Sequence, residues 1–136
     1  MQVQPYLYFG GRTEEAFEFY REAVGAKQEM LMRFKDNPEP CPGGNPPGSE
    51  NKVMHMSFSI GSTSVMASDG DCQKASNFDG FSLSINADTA GDAERMFAAL
   101  GVGGTVTMPM TKTFFAKAFG MVKDKFGLHW MIISYS

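Results

Sequence analysis

The chain is poor in the residues that mark several classes of function. It has two cysteines, Cys41 and Cys72, and they form no C-x-x-C pair. Zinc binding and dithiol redox chemistry therefore have no support, and both are read as free thiols. It has only two histidines, His55 and His129, so a three-histidine site is excluded. A site of two histidines and one carboxylate would need both rings to converge. There is no basic excess: 12 Lys and Arg stand against 15 Asp and Glu, a net charge of −3. That balance gives no surface for nucleic acid. No apolar run approaches the roughly 18 residues of a membrane span. The opening "MQVQPYLYFGG" lacks the basic start and continuous apolar stretch of a signal peptide, so the cytoplasm is the expected location. "GVGG" and "GGNPPG" lack the lysine and hydroxyl of a phosphate loop, and no G-x-S-x-G is present. "DGDC" starts no EF-hand, because the glycine and glutamate required further on are missing.

What is there reads as one small α+β domain of 136 residues. "VQPYLYF" is rich in aromatic and β-branched residues, as a strand is. After "GGR", Thr13 is expected to cap a helix, with Glu14 and Glu15 in its first turn. Ala16, Phe19, Tyr20 and Ala23 recur at helical spacing, and Gly25 ends the run. "KQEMLMRF" reads as a strand. The segment Lys35 to Asn51 holds five of the seven prolines, so it is read as a long loop, either a lid over a site or a plain surface excursion. "VMHMSFSIG" alternates, with His55, Ser57 and Ser59 on its polar side, and "STSVMAS" follows as a hairpin partner. "FSLSINA" alternates again, with Ser82, Ser84 and Asn86 polar. A second helix is expected from about Thr89 to Leu100, capped by Asp88 or Thr89 and stopped by Gly101. "GGTVTMPM", "TFFAKAFGMVKD" (with a glycine break) and "HWMIISYS" supply further strands.

The order is β-α-β-β-β, given twice. A shift of 77 matches Ala16 with Ala93, Phe19 with Met96, Tyr20 with Phe97 and Ala23 with Leu100. The repeat lies in pattern rather than in letters. It predicts two βαβββ modules with curved mixed sheets, about 1–69 and 78–136. Each polar stripe faces away from its helix, toward either plain solvent or a concave small-molecule site.

This order, together with "YLYFGGRTEEAFEFYREAVGA", resembles the vicinal-oxygen-chelate superfamily of glyoxalases, bleomycin-resistance proteins and extradiol dioxygenases. "HMSFSIG", "VMASDG", "GFSLSIN", "GGTVTMPMTKTFFAKAFGMVKDKFG" and "HWMI" are similar to its PhnB-like branch, whose members are often labelled demethylubiquinone methyltransferases. The resemblance implies a homodimer. It also implies metal ligands on four strands, at positions that here fall on Pro5, Val65 or Met66, Ser82 and Met131. None is an ordinary ligand for a hard divalent cation, so no metal and no cofactor are expected. The methyltransferase label is discounted, since "YFGGRTEE" lies outside the doubly wound architecture that holds a methyl-donor nucleotide.

The expected function is small-molecule binding, with no nucleic-acid or membrane partner. His55 and Asp69 are the candidates for acid–base work, Asp69 orienting His55 or holding a substrate hydroxyl. Ser82, Phe115, Lys117, Trp130 and Met131 are the candidate ligand contacts, with the aromatic groups suited to a planar ligand. The alternatives are a divalent-metal lyase or dioxygenase, and a drug-sequestering protein. The pairs of methionines in "MLM", "MHM" and "MPM" each place two thioethers on one strand face. Thioethers suit Cu(I), but methionine more often fills core gaps, which is the reading preferred here.

Overall fold

The structure, a computed structural model, describes residues 1–39, 44–72 and 75–136. Cys41 and part of the Lys35–Asn51 loop lie outside the described residues, so the free-thiol and lid readings there stay as expectations. The chain divides into two compact units, Met1–Ser76 and Asn77–Ser136. Each is a βαβββ-type module with a four-stranded mixed sheet.

In the first module β1 is Tyr6–Tyr8, α1 is Thr13–Val24, β2 is Lys27–Arg33, β3 is Val53–Ile60 and β4 is Thr63–Ser68. The sheet order is β1-β4-β3-β2, with β1 parallel to β4 and the other pairs antiparallel. β1 is shorter than the aromatic run suggests. Pro5 has no N–H for the ladder, and only its carbonyl is used, by the Met66 N–H at 2.9 Å.

Thr13 is not the cap of α1. Arg12 holds that position and its side chain makes no capping bond. The capping acceptor comes from far along the chain: Asp69, just past β4, accepts from the N–H groups of Thr13 at 2.9 Å and Gly11 at 3.0 Å. Its other oxygen accepts from the Val53 N–H at 2.8 Å. A buried carboxylate thus satisfies the helix N-terminus. At the other end Gly25 adopts φ +73, the left-handed conformation glycine reaches without a Cβ penalty, and its N–H returns to the Arg21 carbonyl.

α1 buries Ala16, Phe17, Tyr20 and Ala23. Phe17 takes the place expected for Phe19, which is only half-buried. The rings of Phe17 and Tyr20 meet Phe58 of β3 at 5.5 and 6.3 Å. Each such buried aromatic contributes about 1.5–3 kcal/mol. The core therefore lies between α1 and one sheet face, and the other face is left open.

In the second module β5 is Leu83–Asn86, α2 is Ala90–Leu100, β6 is Thr105–Thr111, β7 is Ala118–Lys123 and β8 is His129–Ser134. The order β5-β8-β7-β6 repeats that of the first sheet. Thr89 is the cap of α2, its hydroxyl accepting from the Asp92 N–H at 3.1 Å. Gly120 does not break β7. The strand runs through it, and an added Cβ would lie 2.8 Å from the Phe97 ring of α2, so glycine lets the helix sit on the sheet. The preceding residues through Lys117 are loop, turned by the Thr113 hydroxyl, which accepts from the N–H groups of Phe115 and Ala116. Here too one buried carboxylate gathers donors. Asp124 accepts from the N–H groups of Phe126 at 2.8 Å and Leu128 at 3.1 Å, and from the Trp130 indole N–H at 2.8 Å.

Candidate functional site

The candidate site is the open face of the first module's sheet. Strand alternation sends Phe58 and Val65 to the helix side, and sends His55, Ser57, Met66 and Ser68 to the other. The pairing register lines these up across the strands. One row is Tyr6, Met66, Ser57 and Met30; beyond it on the same face stand the pairs Tyr8–Ser68 and Met32–His55. β2 carries an irregularity between Gln28 and Met30, where one extra residue stands opposite β3. That residue is Glu29, and the bulge brings its carboxylate to the open face. There its Oε1 accepts from the Ser57 hydroxyl at 2.7 Å and the Ser64 hydroxyl at 2.8 Å.

The centre of the face is a pair. The Tyr6 hydroxyl lies 2.9 Å from Nδ1 of His55, with the two rings 5.6 Å apart. The phenolic O–H donates in this bond when Nδ1 carries no proton. Tyr8 extends the aromatic surface, 5.2 Å from Tyr6 ring to ring. Burial raises the Tyr6 pKa, the neighbouring Tyr8 adds to the rise, and a hydrogen bond from the Ser68 side chain opposes it. Tyr6 is thus held as a hydrogen-bond donor rather than as a base. Glu29 moves the opposite way. The hydroxyls of Ser57 and Ser64 hold its carboxyl below the ordinary value, so it carries a charge at neutral pH. The face therefore offers an imidazole with a phenol beside it, one fixed carboxylate, and thioether and ring surface around them.

The expected site residues are only partly brought together. His55 is on the open face, half-buried. Asp69 is not its partner: all three Asp69 bonds go to backbone N–H groups, and Tyr6 takes the place beside the imidazole. Trp130 does not offer a ligand surface, because it points to the helix side of its sheet, is 2% exposed, and spends its indole N–H on Asp124. Its neighbour Met131 faces the open side of the second sheet, paired with Ser84 and Met121. Ser82 lies just ahead of β5, half-buried. Phe115 sits in the loop before β7, with its ring 5.3 Å from Phe119. Lys117 follows, its side chain exposed and its backbone N–H bonded to the Ser134 carbonyl. His129 pairs with Asp79 at 3.3 Å.

At the positions where the resemblance puts metal ligands, the first module has Pro5, whose carbonyl is taken by the ladder, and Met66, since Val65 is buried on the helix side. The second module has Ser82 and Met131. Thioether and hydroxyl groups do not fit a hard divalent cation, which takes carboxylate or imidazole. Among the described residues no three His, Cys, Asp or Glu side chains are grouped to hold a metal ion. Tyr6 and Glu29 were missed by sequence reasoning. Tyr6 was within reach, since "YLY" alternates like the other strands, whereas Glu29 depends on a bulge that no residue in β2 announces.

A four-stranded mixed sheet with one helix on one face, built twice in one chain, is the architecture of the glyoxalase/bleomycin resistance/dioxygenase superfamily, and solved members share this fold. Within it the sequence profile of the 3-demethylubiquinone-9 3-methyltransferase family matches residues 1–133, and the chain belongs to that PhnB-like family. It is 38% identical to protein PA1353 from Pseudomonas aeruginosa, with a TM-score of 0.84 over 98% of this chain and 97% of that one. It is 25% identical to a putative 3-demethylubiquinone-9 3-methyltransferase, PhnB protein, from Bacillus cereus, with a TM-score of 0.81 over 98% of this chain and 99% of that one. The curated protein YjdN of Escherichia coli strain K12 is 31% identical, over 97% of this chain and 94% of its own length.

Proposed function

We propose that this protein binds a small planar organic molecule on the open face of the first module, with the Tyr6–His55 pair directing its polar group. The observation that carries the reading is the 2.9 Å bond between the Tyr6 hydroxyl and His55 Nδ1, on a face that also carries Tyr8, Met30, Met32 and Met66 beside the Glu29–serine cluster. Tyr8 and Tyr6 provide ring surface, and Met30, Met32 and Met66 provide adaptable apolar contact. If the ligand reacts, the chemistry is acid–base: with Nδ1 occupied by the Tyr6 hydroxyl, the Nε2 nitrogen of His55 is the one left to exchange a proton with the ligand.

Methyl transfer finds no support in the residues. The N–H groups of Gly11 and Thr13, where the glycine turn enters α1, are already spent on Asp69. A divalent-metal lyase or dioxygenase is disfavoured by the donor chemistry described above. The protein is proposed to act as a homodimer, as its superfamily resemblance implies.

The test is native mass spectrometry of freshly isolated protein, wild type against Tyr6→Phe and His55→Gln. The expected spectrum shows dimer mass with an organic adduct, and adduct occupancy falls about tenfold or more in each variant while the urea midpoint holds. Full adduct occupancy in both variants would overturn the site. Stoichiometric Mn, Fe, Ni or Zn bound to the protein would overturn the preference against metal chemistry.

A further inference from the structure

Three methionines of the second module lie on the sheet face turned away from its core. Met108 of β6 is opposite Met121 of β7, and Met121 is opposite Met131 of β8. Directly opposed residues share a sheet face, with Cβ atoms roughly 4.5–5.5 Å apart. Three thioethers therefore stand in one row on three adjacent strands. They share the face away from the one on which Val122, Trp130 and Ile132 are buried. Met108 is 41% exposed, and Met121 and Met131 are half-buried. Ser84 continues the row beyond Met131. Methionine side chains are long and flexible enough to bring three sulfurs from such a row to one point.

We propose that Met108, Met121 and Met131 form a binding site for a soft monovalent cation of the Cu(I) or Ag(I) kind. Thioether sulfur is a soft, neutral donor that selects such ions over hard divalent ones. The surroundings favour a single charge. Lys123 stands in the adjacent row, so its charge opposes a dication more strongly than a monocation. This proposal does not rest on the ligand reading given for the first module.

The test is titration with Ag(I) of the full chain carrying C41S and C72S, which removes the competing thiols, followed by NMR of the methionine methyl groups. The expected result is saturation at one equivalent, with the Met108, Met121 and Met131 signals shifting together. Met30, exposed on the first sheet, should stay in place. Met121→Leu, a volume-conserving change at the central position, should weaken binding about tenfold or more, and Met30→Leu should leave it unchanged. If the double cysteine variant does not fold, alkylated wild type serves in the same titration. Parallel drift of all methionine signals without saturation, or unaltered affinity in Met121→Leu, would overturn the proposal.

Discussion

The two modules share a frame and differ in what they display. In each, a helix covers one face of a four-stranded mixed sheet, and an alanine in the helix (Ala16 or Ala93) is fully buried against it. In each, a buried aspartate accepts three N–H donors, from distant points of the chain at Asp69 and from the following turn and strand start at Asp124. The open faces diverge. The first carries Tyr6, His55, Ser57 and Glu29; the second carries Ser84 and a methionine row. Positions that point to the helix answer to packing and capping, while positions that point away are free to take different chemistry.

The strongest check on this likeness is removal of the buried carboxylates. Asp69→Ala and Asp124→Ala each orphan three donors, at about 1–3 kcal/mol apiece. Each should lower stability by about 3 kcal/mol or more in urea titration, with Asp69→Ala also fraying α1. A much smaller loss in one of them would show that the two anchors are alike in geometry alone. Next comes the helix seat of the second module. Gly120→Ala drives a Cβ into Phe97 and the Met110 backbone and should cost about 1–3 kcal/mol. Gly61→Ala in the first module meets nothing nearby, so the urea midpoints of the two should separate packing from turn strain at φ +58.

A smaller effect distinguishes the helix starts. Arg33 bonds Glu14 through its two terminal guanidinium nitrogens, at 2.7 and 3.1 Å, and this holds the Glu14 carboxyl below its ordinary value of 4.5. A lowered acid stabilises the fold above the unfolded value, and that share is lost as pH falls through the folded value. Glu14→Gln should therefore cost under about 1 kcal/mol at pH 7, discounted because the pair is half-exposed. The difference from wild type should fade below pH 4.5 in acid-unfolding curves. The smallest effect sharpens the contrast of the open faces. Ser57→Ala with Ser64→Ala should raise the Glu29 pKa toward its ordinary value, read by carboxyl NMR, with the urea midpoint almost unmoved.

Most of the fold was legible, because alternation and helical spacing are local signals. The site was legible where it follows from alternation, as His55 does. It was not legible where long-range contacts decide. Asp69 looks like a turn residue with a free carboxylate, and only the folded chain shows Gly11, Thr13 and Val53 converging on it. Trp130 and Met131 are adjacent letters that strand geometry sends to opposite faces, and grouping them as one surface ignored that period of two. Phe17 outcompetes Phe19 because Phe58 is on its side of the helix, which helical spacing alone does not reveal.

The Asp69 carboxylate joins amides contributed from positions 11, 13 and 53. A segment that leaves takes one donor from a buried carboxylate, so opening at these three places is coupled. Hydrogen exchange at those three amides should accordingly proceed at one common rate, set by the stability of the whole module rather than by the fraying of any end.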